Sequence, residues 1–249
     1  MAATAQHYGV DRDEVSRFAR MAADWWDPNG PMKPLHRINP QRLAFLKRAL
    51  CIHFGRDERA IRALSGLQVL DIGCGAGLLS EPLARMGAEV TGVEPAEETI
   101  AVARSHADES NLSIRYVCGL ADDLVSQAET FDVVLAMEVV EHVPDVPAFL
   151  RTVSSLVKPG GFFAGSTLNR TLRSYALAIV GAEYVMRWLP VGTHSWEKFV
   201  RPREFEEALA GAGLDPLAVE GLVYNPLADT WRLSRDTAVN YFITAAKRG

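Results

Sequence analysis

The sequence predicts an α/β chain built on a doubly wound, mostly parallel sheet of seven strands, with an N-terminal helical cap and an insert after the fifth strand. Three observations predict it. From Leu67 onward, apolar runs of four to seven residues alternate with helical patterns; Gly73, Gly75 and Gly77 alternate directly after the first run; and the acid Glu94 closes the second. Such alternation is what βαβ crossovers require, because a parallel strand needs a helix to carry the chain back.

Taken in order, residues 13–24 and 40–54 read as two helices joined by the Pro- and Trp-rich loop WWDPNGPMKPLHRINP. The runs LQVLDIG, AEVTGVE, LSIRYV, FDVVLAM and GFFAGST read as buried strands. Helices are expected between them around 78–86, 97–108 and 147–157. An apolar insert occupies 168–197, a helix starts at Pro202, and LAVEGLVY with VNYFITAAK reads as a closing antiparallel hairpin. The chain is thus expected to be one domain: 1–60 a cap, 61–167 a cofactor-binding core, 168–197 a lid or membrane-facing insert, and 198–249 a C-terminal helix with closing strands.

Composition narrows the chemistry. With 249 residues, 48% of them hydrophobic, one core is ample. A net charge of -5 offers no basic footprint, so no nucleic-acid partner is expected. The three cysteines, Cys51, Cys74 and Cys118, form no C-x-x-C pair, which fits a reducing compartment. The first twenty residues lack an apolar core and carry Asp11, Asp13 and Glu14, so a cytoplasmic protein is expected.

Chemistry-bearing residues concentrate in two stretches. In Asp71-Ile-Gly-Cys-Gly-Ala-Gly77 the glycines let backbone approach a ligand closely, and Glu94, 21 residues after Gly73, suits the hydroxyls of a ribose. In AMEVVEHVPD, Glu138, Glu141 and His142 stand at i, i+3 and i+4. On a helical turn they share one face and either hold a divalent cation or set a carboxylate behind a basic His. His194, in GTHSW, is a second candidate base.

LDIGCGAG with Glu94 resembles the cofactor loop of the class I S-adenosylmethionine-dependent methyltransferases. The resemblance implies that Asp71, Gly73, Gly75, Gly77 and Glu94 hold S-adenosyl-L-methionine, that Asp122 in GLADDL contacts the adenine, that Met137 lies against the cofactor, and that S-adenosyl-L-homocysteine leaves. The segments EHVPD, VKPGG, STLNRT and GLVYNPLADTWRLSRDTAVNYFITAAK, with the Trp-rich loop, are similar to the O-methyltransferases of bacterial ubiquinone biosynthesis over nearly the whole chain. That resemblance implies a polyprenylated phenol or quinol substrate, Arg42 on the cofactor, and Mg2+ at the positions of Glu138, Glu141 and His142; the residues themselves leave Glu141, His142 and His194 as the catalytic candidates. A methyltransferase for another small phenol or polyketide is the competing enzyme reading, and an S-adenosylmethionine-binding lipid-surface scaffold the competing non-enzyme one. In the insert, Arg170, Arg173 and Arg187 beside Tyr184 and Trp188 suit a lipid boundary, so peripheral contact with anionic lipid at the inner face of the bacterial inner membrane, and with other quinone-biosynthesis enzymes, is expected.

Overall fold

The computed structural model describes residues 22–176, 196–225 and 228–249. Its strands are β1 (Gln68–Ile72), β2 (Glu89–Glu94), β3 (Arg115–Cys118), β4 (Phe131–Met137), β5 (Val157–Leu168), β6 (Leu214–Asn225), β7 (Thr230–Ser234) and β8 (Asn240–Lys247). They form one sheet in the order β3-β2-β1-β4-β5-β8-β6-β7. Neighbours from β3 to β5 pair in parallel, while β8, β6 and β7 join antiparallel. The order reverses between β1 and β4, which opens a crevice at the carboxyl ends of those strands.

Helices cover both faces: α1 (Lys33–His53), α2 (Ser80–Arg85), α3 (Glu97–Glu109), α4 (Ala121–Ser126), α5 (Val146–Leu156) and α6 (Pro202–Gly211). Strand residues alternate between the two faces, as a pleat dictates. Val69, Val133, Leu135, Phe162 and Ala164 join Phe45, Leu46 and Leu50 of α1, and Leu83 of α2, in one core layer. Leu70, Ile72, Val134, Ala136 and Phe163 join Leu150 and Val153 of α5, and Phe205 and Leu209 of α6, in the other.

The structure differs from the sequence expectation at two elements. The strand added is β7, TWRLS, at the sheet edge, which makes eight strands where seven are expected. Only Trp231 and Leu233 of β7 pack on a core, so its period-two signal rests on two residues. Helix α1 begins at Lys33 and runs through Pro40, expected as a helix start. Pro34 fills the first helical turn, where a missing N–H costs nothing. The interior Pro40 costs about 3 kcal/mol, and burial of Phe45, Leu46 and Leu50, roughly 1.5–3 kcal/mol each, outweighs it. Of the expected helix at 13–24, only a 3-10 turn at Ala22–Asp24 falls within the described residues.

Candidate active site

The crevice is bounded on one side by the loop after β1. Gly73 N–H and Cys74 N–H both donate to the Val93 carbonyl, at 2.8 and 3.2 Å, which ties the loop to β2. Gly73, Gly75 and Gly77 all have positive φ, at 66°, 53° and 90°. A Cβ on Gly75 would run into the indole of Trp25, and one on Gly77 into the hydroxyl of Tyr116. The missing side chains therefore make room for this chain's own aromatics, a requirement the sequence reading ascribed to a ligand. Trp25 is buried with Met32, Ala76 and Leu78, and Trp26 Nε1 donates to the Ala76 carbonyl at 3.0 Å. Trp26 also stacks on His106 with centroids 3.5 Å apart, and His106 Nδ1 meets Glu81 Oε1 at 2.5 Å. Residues 25–26 are in this way strapped across the loop.

Asp71, one residue before the end of β1, is buried, with Ser80 Oγ donating to its Oδ2 at 2.6 Å. Burial pushes its carboxyl up to about 6, against the opposing effects of the Ser80 hydrogen bond and the Arg42 charge. Glu94, at the end of β2, accepts from Ala96 N–H at 3.2 Å and from Gly75 N–H at 3.4 Å. Its pKa is raised, chiefly by burial. Gly119 N–H donates to the Glu94 carbonyl at 3.1 Å, which brings the start of α4 alongside. Asp122 Oδ1 is engaged by Thr152 Oγ1 of α5 at 2.9 Å. The start of α4 is capped by Asp123, whose Oδ2 accepts from Leu120 N–H at 2.8 Å.

On the other side of the crevice β4 ends in buried Met137. Glu138 follows at φ 57°, a left-handed backbone that non-glycine residues adopt at a cost of order 1–3 kcal/mol. Its N–H donates to the Ser166 carbonyl at 3.0 Å and to Ser166 Oγ at 3.2 Å, and Ser166 Oγ donates back to Glu138 Oε1 at 2.8 Å. Arg42 Nη2 lies 3.4 Å from the same oxygen. Glu141 is buried on the 3-10 turn Val140–His142, and its Oε2 accepts from Thr167 Oγ1 at 2.9 Å. Burial first, then the Glu138 charge, raises the Glu141 pKa; the half-buried His142 opposes this.

On this side of the crevice three buried atoms have no hydrogen-bond partner among the described residues, Arg42 Nε, Arg42 Nη2 and Glu141 Oε1, and on the loop side the Tyr116 hydroxyl has none. Buried polar atoms are nearly always paired, so orphans beside a crevice mark where a ligand is received. A guanidinium with unused donors suits a carboxylate, and Glu94 beside Gly75 suits ribose hydroxyls, so the residues present fit S-adenosylmethionine.

The expected arc of Glu138, Glu141 and His142 on one helical face is corrected by the structure. Glu138 precedes the turn with left-handed backbone, and its partner Ser166 and the Glu141 partner Thr167 are consecutive residues of a strand, which face opposite sides of the sheet. Among the described residues no group of three His, Cys, Asp or Glu side chains gathers as a metal site. The triplet does not fit Mg2+ in this arrangement, and the guanidinium of Arg42 is the cation at Glu138. His194 and most of the insert lie outside the described residues.

Ser166 and Thr167 open the STLNRT segment, but the sequence reading gives neither a role. Two hydroxyls closing an apolar strand at the carboxyl edge of a parallel sheet are the signal that would have found them. Trp25, Ser80 and Thr152 carry no comparable mark.

Residues 70–165 match the family described as a methyltransferase domain. The magnesium protoporphyrin IX methyltransferase from Synechocystis PCC 6803, solved with bound SAH, has the same fold: TM-score 0.64 at 20% identity, over 94% of this chain and 93% of that one. The fold is therefore the doubly wound one that such methyltransferases share. The ubiquinone biosynthesis O-methyltransferase of Methylobacterium nodulans is 57% identical over 238 residues, 96% of each chain. That of Azorhizobium caulinodans is 55% identical over 234 residues, 94% of this chain and 92% of the relative. The chain belongs to the family of ubiquinone biosynthesis O-methyltransferases.

Proposed function

We propose that this chain methylates ring hydroxyls of polyprenylated aromatics, a 2-polyprenyl-6-hydroxyphenol and a 3-demethylubiquinol, using S-adenosylmethionine. The observation that carries this reading is the buried guanidinium of Arg42, whose Nε and Nη2 make no hydrogen bond among the described residues, set beside Glu138 at the carboxyl ends of the parallel strands. S-adenosylmethionine, when bound, supplies the methyl group on a cationic sulfur. Arg42 would hold its carboxylate and Glu94 its ribose, while the strapped glycine loop fixes the backbone between them.

A phenol ionises near pH 10, so forming the phenolate at pH 7 costs roughly 4 kcal/mol. Glu141 and His142 supply the base: a buried carboxyl with a raised pKa accepts a proton more readily near neutral pH than an ordinary one. Alignment in a water-poor crevice supplies much of the remaining acceleration.

The finer reading places the protein in the cytoplasm, touching anionic lipid through the insert. Leu172 and Tyr175, at its stem, are 82% and 47% exposed beside Arg173, and no helix among the described residues is long and apolar enough to cross a membrane. Co-sedimentation with anionic liposomes tests it; unchanged binding after deletion of residues 172–188 from a folded protein counts against it.

The enzymatic reading is tested by mass spectrometry of both hydroxylated intermediates incubated with the protein and S-adenosylmethionine. Each is expected to gain one methyl group. Equal rates on short catechols lacking the prenyl tail would overturn the substrate assignment.

A further inference from the structure

Ser166 and Thr167 are neighbours at the carboxyl end of β5, both buried, and each serves a different carboxylate. Ser166 exchanges hydrogen bonds with Glu138 in both directions, at 3.2 and 2.8 Å, on the face of the sheet covered by α1. That is where Arg42 approaches Glu138 and where Asp71 feels its charge. Thr167 donates to Glu141 at 2.9 Å on the face covered by α5 and α6. Its bond occupies Oε2 and leaves Oε1, which has no partner among the described residues.

We propose that Ser166 and Thr167 are positioning residues with separate duties: Ser166 sets Glu138 against Arg42 and so shapes donor binding, whereas Thr167 turns the free oxygen of Glu141 toward the acceptor hydroxyl. The pleat of β5 divides the duties, because consecutive residues on a strand point to opposite faces. The left-handed backbone at Glu138 supports the first duty; its strain is held by two hydrogen bonds to Ser166. The second follows from the Thr167 bond being the one side-chain hydrogen bond recorded for Glu141 among the described residues.

This inference rests on the methyltransferase reading above, and the experiment separates the two. Calorimetric titration with S-adenosylhomocysteine measures donor-site affinity without any acceptor, and steady-state kinetics on the prenylated phenol give kcat and KM. Ser166→Ala is expected to weaken S-adenosylhomocysteine on the order of 10-fold, about 1.4 kcal/mol, with kcat at saturating donor within about twofold. Thr167→Val is expected to leave that affinity unchanged while kcat falls on the order of 10-fold or more. Thr167→Ser, which keeps the hydroxyl and loses the methyl, is expected to restore kcat.

Equal effects of Ser166→Ala and Thr167→Val on both readouts would overturn the division of duties. Failure of Thr167→Ser to restore kcat would assign the Thr167 effect to packing. A wild-type chain that binds S-adenosylhomocysteine but never methylates the phenol would sink the substrate reading instead.

Discussion

The loop after β1 and the crossing after β4 face each other across one crevice, and they are built on opposite terms. In the loop every Cβ direction is filled by the chain itself, with Val139, Trp25 and Tyr116 standing where side chains of Gly73, Gly75 and Gly77 would go. Asp71 and Glu94 both have partners there. After β4, the backbone is strained at Glu138, and Arg42 and Glu141 keep buried atoms without hydrogen bonds among the described residues. A loop braced by its own aromatics, with the buried Tyr116 hydroxyl as its one unpartnered atom among the described residues, holds its shape mainly through the chain itself. An unsatisfied crossing has interactions in reserve, which is what differential recognition of a reacting group requires.

If that contrast is right, Arg42 is where it breaks most sharply. Arg42→Met leaves Glu138 and Asp71 without their cation and removes the donors for the cofactor carboxylate, and hydrogen bonds to charged groups contribute about 1.5–3 kcal/mol each. Affinity for S-adenosylhomocysteine is expected to fall about 100-fold or more by calorimetry.

On the loop side, Asp71 is held neutral more readily when folded than unfolded. Its folded pKa of about 6 lies above the ordinary 3.8, so the native state binds the extra proton between these values. The stability contributed by Asp71 is therefore greatest in acid and falls as pH rises from about 4 to about 6, with no further change above. At about 1.36 kcal/mol per pH unit this amounts to about 3 kcal/mol. Urea unfolding of wild type and Asp71→Asn across pH 4–7 should show their difference drifting by that amount; a constant difference would mean that Asp71 is charged in the folded protein throughout.

Gly75→Ala tests the claim that aromatics dictate the glycines. Left-handed backbone and the Trp25 indole together are expected to cost about 2–3 kcal/mol in unfolding free energy. In a Trp25→Ala background the cost should shrink toward the backbone part, about 1–2 kcal/mol. Strict additivity of the two substitutions would remove Trp25 from the account.

The smallest effect expected is that of Trp26→Phe, which loses the hydrogen bond to the Ala76 carbonyl. About 1 kcal/mol of stability should go with it, with donor affinity weakened a few-fold and kcat at saturation unchanged.

Much of the fold was legible because it rests on local signals. Buried parallel strands announce themselves as apolar runs, and five of them were placed within a few residues. Strand β7 was not, since an edge strand with two packed residues has almost no pattern. Helix α1 was misjudged at its start because two prolines, Pro34 and Pro40, both satisfy the rule for a first turn, and only the packing of Phe45, Leu46 and Leu50 chooses between them. At the site, the glycines and acids were legible as residue types in a spacing. The burial of Arg42, and its approach to Glu138 across 96 residues of chain, was not written in any local pattern.

By itself the sequence determined the alternation of strand and helix, the glycine loop with its two acids, and the presence of carboxylates and a histidine after the fourth strand. All of these are set by spacing along the chain. The tertiary structure decided which way those groups face. Glu138 and Glu141 are three residues apart, yet the left-handed turn between strand and 3-10 helix gives them different hydroxyl partners on opposite faces of β5. Only the assembled sheet, with α1 laid over one face and α5 over the other, separates a carboxylate that steadies Arg42 from one that keeps an oxygen in reserve.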